Sequence, residues 1–158
     1  MVREVIIVDE DKKFKILHKE IDLIQACITR MANNSFLLKG WYITLITVII
    51  TLLFNKNIRI EIIGLFIFAI TAVFWSLDSF FFKTETLYRW KYDWIIKERL
   101  KDNQDNLYDL NPYNKNMWID SNNKKDCLFN FIFSKTLIPL YGIPMLVSII
   151  ILVYHIIY

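Results

Sequence analysis

Glycine and proline are scarce, three of each in 158 residues, which excludes a collagen-like or a Pro/Gly-rich disordered chain. Cysteine and histidine are scarcer still. Cys27, Cys127, His18 and His155 stand apart with no CxxC or Cys/His spacing, so no metal site is expected, and the thiols read as buried or free in a reducing compartment. A strong charge excess is missing too: 19 basic against 16 acidic residues leave a formal net charge of +3. That balance lacks the clustered positive charge of a nucleic-acid binder, and nucleic acid is set aside as a partner. The chain has no Ser/His/Asp set, no Gly-rich phosphate loop and no paired catalytic carboxylates, so neither an enzyme nor a cofactor is expected. The opening MVREVIIVDEDKK carries no long apolar core with a small-residue cleavage site. The first membrane helix is then expected to act as its own targeting signal.

What the chain has in abundance is uninterrupted apolar sequence, 55% of its residues being hydrophobic. Residues 36–54, FLLKGWYITLITVIITLLF, hold one charge, Lys39. At about 1.5 Å per residue such a helix crosses a hydrocarbon core of about 30 Å. Residues 58–82 are apolar except for Arg59 and Glu61 at one end and Asp78 near the other, and residues 137–158, LIPLYGIPMLVSIIILVYHIIY, form a third run. A soluble fold would have to bury three such helices on every side with too little polar sequence left to cover them. The expected fold class is therefore all-α, an integral membrane protein with three transmembrane helices and cytoplasmic helical extensions. Its parts are 1–35, an N-terminal strand and amphipathic helix; 36–82, a transmembrane hairpin; 83–135, a helix and polar loop; and 136–158, the third span.

Lys and Arg set the orientation. Six precede the first span, two lie at the first loop, ten fall between Lys83 and Lys135, and none follows the third span. The positive-inside rule then gives a cytoplasmic N-terminus and an external C-terminus. Within 1–35, Phe14, Leu17, Ile21, Ile24, Ile28 and Met31 recur at spacings of three and four, a seam for packing or for oligomerisation. Ala32-Asn33-Asn34-Ser35 is expected to break or bend the helix before the membrane, and Arg3 to Val8, REVIIV, reads as a short strand that a partner chain would have to pair. After the second span, Leu87, Trp90 and Trp94 lie on one stripe, with Glu85/Arg89 and Asp93/Lys97 expected as i,i+4 pairs on the surface. The stretch 102–126, rich in Asn, Asp and Lys, reads as an irregular, solvated connection, and 127–133 as a short interfacial segment.

Charge within a span is costly, about 2.5–3.5 kcal/mol at a helix centre, so Lys39 and Asp78 draw the eye. Antiparallel packing places them at similar depth, where they snorkel to the headgroups, pair to fix hairpin register, or take part in conduction or proton handling. Arg30, Asn34, Glu85 and Arg89 lie near the same boundary and with them form a cytoplasmic mouth. Pro139, Gly142 and Pro144 interrupt the third span, which predicts a kink, either a gate hinge or a packing feature. Trp41, Tyr42 and Trp75 read as interfacial anchors. Tyr88, Trp90, Tyr92 and Trp94 either stack on a nucleotide or form core.

Three stretches, IQACITRMANNSFLLKGW, FWSLDSFFFKTETLYRWKYD and FSKTLIPLYG, in that order along most of the chain, resemble a widespread family of small bacterial membrane proteins. In that family an RMA-NSF-LKGW block enters span one, FW-LD leaves span two and S-TL-YG opens span three. The positions matching its pattern are Arg30, Asn34, Ser35, Lys39, Trp41, Trp75, Asp78, Glu85, Arg89 and Tyr92. The resemblance implies a topology and no assigned reaction. More distantly the architecture resembles the two-helix SLATT-type membrane effectors of antiphage systems, from which the third span departs. That likeness implies an oligomeric inner-membrane effector that permeabilises or depolarises the membrane on a cytoplasmic signal, with membrane lipid, further copies of the chain and a sensor protein or nucleotide signal as partners. The alternative is a structural or accessory subunit that docks a cytoplasmic partner and forms no pore.

Overall fold

A computed structural model describes residues 2–55, 59–101, 103–119 and 126–157, with side chains described in 10–51 and from 59 onward. Lys56 and Asn57 of the expected first connection, residues 102 and 120–125 of the polar stretch, and Tyr158 lie outside the described residues. Among the described residues four α-helices follow one another: α1 (Val2–Asn55), α2 (Ile60–Arg99), α3 (Leu128–Ile132) and α4 (Ile143–Ile157). Among the described residues there is no strand. Three helical stretches, Glu10–Thr51, Ile60–Arg99 and Ile138–Ile157, are long and apolar enough to cross a membrane.

Two expectations fail at α1. Arg3 to Val8 is helical rather than extended: a lone strand has no ladder to complete, whereas helix propagation costs its β-branched residues only a few tenths of a kcal/mol each. The break at 32–35 is also absent, since α1 runs through it. Ser35 ends helices by bonding locally to backbone, but here its hydroxyl is used by Lys39 and Asp78, and neither Gly nor Pro is present to force a stop.

The chain divides into two compact units, Met1–Met31 with Thr84–Lys124, and Ala32–Lys83 with Lys125–Tyr158. In the first, a helix-and-loop unit, Ile24, Cys27, Tyr88, Ile95 and Met117 are buried together, with Leu17, Ile21, Ile28, Met31, Tyr92 and Trp94 packed around them. The seam from Leu17 to Met31 is thus consumed inside the unit, while Phe14 stays 63% exposed. The connection after α2 is irregular as expected but not solvated throughout. Asn114 caps a 3₁₀ turn, Lys115–Met117, Met117 and Trp118 are buried, and Trp118 sits edge-on to Trp90 with ring centroids 5.4 Å apart. Its many Asn and Asp residues serve as local turn formers: side-chain oxygens of Asn103, Asp109, Asn111 and Asn114 each accept the backbone N–H two residues on, and Asn106 and Tyr108 have positive φ.

The second, apolar unit contains α3, α4 and the apolar stretches of α1 and α2. Pro139 and Pro144 lack an N–H, and the chain there forms one π-helical turn, Ile138–Gly142, leading into α4. This turn occupies the place where a kink is expected; π turns arise where the regular hydrogen-bond ladder is interrupted. Gly64 allows close approach of α2 to α4, since a Cβ on it would lie 3.0 Å from Ile151 Cγ2. Outward, Ile43, Val48, Leu65, Phe66, Leu146 and Ile150 are exposed, an apolar surface far beyond what a soluble protein leaves to water.

Candidate functional site: a shared buried carboxylate

An apolar helix cannot carry a carboxylate inward without giving it partners, and in the apolar unit α1 and the π turn bring them to Asp78. Asp78 is fully buried. From α1, Ser35 donates from Oγ to Oδ1, and Lys39 Nζ lies 3.0 Å from Oδ1 and 2.8 Å from Oδ2. Lys39, four residues after Ser35 and so one turn along the same face, also donates to the Ser35 hydroxyl. From the π turn, the Tyr141 hydroxyl donates to Oδ2 at 3.0 Å. Oδ1 therefore accepts two hydrogen bonds and Oδ2 one, with the Lys39 ammonium also against Oδ2.

A cage of rings holds this node. Tyr141, fully buried, lies against Tyr42 at a centroid distance of 4.8 Å and stacks on Trp75 at 6.3 Å. Tyr42 bonds Thr71 through its hydroxyl at 3.0 Å, and Trp75 donates its ring N–H to the Ile132 carbonyl at the end of α3 at 3.0 Å. Phe74 and Leu137 complete the packing. Tyr42 and Trp75 thus act as core partners rather than as free interfacial rings, while Trp41, 60% exposed, is available for the latter use.

Sequence reasoning singled out Lys39 and Asp78 but passed over Ser35 and Tyr141 as donors. Their signal was present in the quoted blocks: Ser35 lies four residues before Lys39, and Tyr141 lies between the residues of the Pro-Gly-Pro cluster. Of the other expected site residues, Asn34 is half-buried in the apolar unit, whereas Arg30, Glu85 and Arg89 belong to the helix-and-loop unit. There Arg30 Nη2 lies 3.8 Å from Cys27 Sγ, and Arg89 pairs with Glu85 at 2.7 Å. At the far end of the apolar helices, His155 Nδ1 meets Glu61 Oε1 at 2.9 Å.

A second buried carboxylate, not anticipated, lies in the helix-and-loop unit. Glu20, beside the Leu17–Ile24 seam, is fully buried. Arg99 donates to it from Nε and Nη2, both at 2.9 Å, and the Tyr108 N–H adds a third bond at 3.1 Å. Arg99 Nη1 also donates to the carbonyls of Asn103 and Asp105. Lys91, fully buried, donates to the Asn111 carbonyl at 2.8 Å and lies 3.4 Å from Asp109. Burial pulls the Lys91 ammonium below the ordinary lysine value, against the opposing pull of Asp109. Burial likewise pushes the Tyr88 phenol up to about 12, with Cys27 adding to the shift.

Among the described residues no group of three His, Cys, Asp or Glu side chains could hold a metal ion. No family model, curated protein or solved structure matches the chain.

Proposed function

We propose that this chain is a bacterial inner-membrane protein that permeabilises or depolarises the membrane as a defence effector, with the Asp78 node as the latch of its closed state. The observation that carries the reading is a fully buried carboxylate shared by Ser35, Lys39 and Tyr141 inside an otherwise apolar unit. A charge within a span costs up to about 2.5–3.5 kcal/mol, the value at a helix centre, and is offset only while its partners stay in place. The closed packing is therefore conditional on a few polar contacts. Their release leaves Ser35, Lys39, Thr71, Asp78 and Tyr141 as a polar lining that water can enter.

Orientation follows the positive-inside rule: the helix-and-loop unit, dense in Lys and Arg, lies in the cytoplasm, which puts the far end of α4 outside. Three helices enclose no channel by themselves, so several copies take part, and the trigger reaches them through the cytoplasmic unit as a sensor protein or nucleotide signal. No chemical step is assigned to the chain.

Induced expression in bacteria carrying a potential-sensitive dye tests this. Asp78→Asn, which unpairs Lys39, and Tyr141→Phe, which removes one donor and keeps the ring, are expected to depolarise cells without a trigger, Asp78→Asn more completely. If both variants reach the membrane at wild-type levels and leave potential and growth as in uninduced cells, the reading is wrong. A second reading, an accessory subunit that docks a partner and forms no pore, draws on Phe14 and Leu100, 63% and 77% exposed in the helix-and-loop unit. Its mark is a stoichiometric partner co-purifying from the native host, lost in Phe14→Ser.

A further inference from the structure

The charged groups of the helix-and-loop unit are mostly spent on its own folding, as Glu20, Lys91 and Arg99 illustrate. One place departs from this. Beside the packed core lies a cavity of about 450 Å³ lined by Gln25, Ile28 and Thr29 of α1 and by Arg89, Tyr92 and Asp93 of α2. That is within the range of about 300–1,000 Å³ in which small ligands bind.

Arg89 is oriented for use there. Its Nε and Nη2 both donate to a single oxygen of Glu85, at 2.9 and 2.7 Å. This fixes the guanidinium plane and leaves the Nη1 edge for an oxyanion. One turn further along α2, Asp93 is exposed and, among the described residues, makes no hydrogen bond or ion pair. Tyr92, held by Gln25 through its hydroxyl at 3.5 Å, and Ile28 add an aromatic and an aliphatic wall. A fixed cation, a free carboxylate and an apolar wall suit a flat ligand with an oxyanion at one end and N–H donors at the other.

We propose that this cavity binds a guanine nucleotide, its phosphate on Arg89 and the paired N1–H and N2–H donors of its base on Asp93. Guanine offers two adjacent donors to one carboxylate, whereas adenine offers a donor beside a ring-nitrogen acceptor that a carboxylate repels. A free amino acid would satisfy both charges but fill little of the volume. The site rests on the reading above in one respect: it supplies the cytoplasmic signal that the effector needs.

Titration calorimetry on the full chain in detergent micelles tests it with GMP, AMP, guanosine and inorganic phosphate. GMP is expected to bind at least tenfold more tightly than AMP. Asp93→Asn should erase that preference, and Arg89→Gln should bring GMP down to the level of guanosine. Both residues are exposed, and unchanged far-UV circular dichroism checks that the variants fold. Absence of GMP binding, equal GMP and AMP binding, competition by phosphate at the concentration of GMP, or an Asp93→Asn variant that keeps the preference overturns the site. Because binding is read without a membrane potential, its failure leaves the depolarisation result standing, and a failed depolarisation assay leaves the binding result standing.

Discussion

Each of the two units is organised around one buried carboxylate, and the two carboxylates are held by opposite means. Glu20 is gripped by a planar guanidinium in bidentate geometry and by a backbone N–H, and its partner Arg99 simultaneously binds two loop carbonyls. Nothing in that arrangement can turn without breaking several bonds at once. Asp78 is held by two hydroxyls and an ammonium, groups that rotate freely about single bonds, and the Lys39 side chain is 27% exposed. A lysine is a compact point charge on a flexible stem, whereas an arginine fork is pre-organised. The arginine fork thus holds Glu20 more rigidly than two hydroxyls and an ammonium hold Asp78, which is the property the proposed latch needs.

The sharpest way to break this contrast is at Arg99. Removing one partner of a buried pair strands the other and costs about 3–5 kcal/mol. Arg99→Gln is therefore expected to destabilise the helix-and-loop unit by about that much and to expose the amides of 103–110 to rapid hydrogen exchange. Arg99→Lys, which keeps the charge and loses the fork, should recover less than half. If Lys restores full protection, geometry is not what distinguishes the two nodes, and the comparison collapses to one of charge alone.

Length and apolarity made three helices legible, because a run such as 36–54 leaves few alternatives to a helix. Asp78 and Lys39 were legible for the same reason: a charge stands out against apolar sequence. Glu20, Arg99 and Lys91 were not. In segments already rich in charge none of them stands out, and their burial depends on the loop, whose backbone groups at Asn103, Asp105, Tyr108 and Asn111 bond to Arg99, Glu20 and Lys91. The uninterrupted α1 was missed because Ser35 looks the same in sequence whether its hydroxyl caps a backbone or feeds a carboxylate 43 residues away. The Pro and Gly of the third run announced an interruption, yet not that the interruption would set Tyr141 on Asp78.

A smaller effect sharpens the other side of the comparison. A hydrogen bond to a charged group contributes about 1.5–3 kcal/mol, and Tyr141→Phe removes one of three around Asp78 while keeping the ring stacked on Trp75 and against Tyr42. Purified protein in detergent should lose about that much stability by thermal melting of its circular dichroism, with hydrogen exchange at 103–110 unchanged. Ser35→Ala should cost a similar amount, and because Ser35 also accepts from Lys39, the double variant should cost less than the sum. Strict additivity would mean that the hydroxyls act independently and that no shared network exists to be released.

The smallest effect is a titration in the loop. Burial pushes the Asp109 carboxyl up, but bonds from Asn114 and from the Asn111 N–H, together with Lys91, outweigh it and hold the group below the ordinary aspartate value. A depressed carboxyl favours its ionised form in the folded state. Its contribution is complete above the unfolded value of about 3.9 and is lost as pH falls through the lower folded value. Asp109→Asn lacks the charge at every pH, so melts of wild type and variant should differ by up to about 1 kcal/mol at pH 7, as for a partly exposed pair, and converge as pH drops below about 4. A difference that persists to pH 3 would show that Asp109 works through the shape of its turn with Asn114, and would leave Arg99 alone as the electrostatic anchor of the loop.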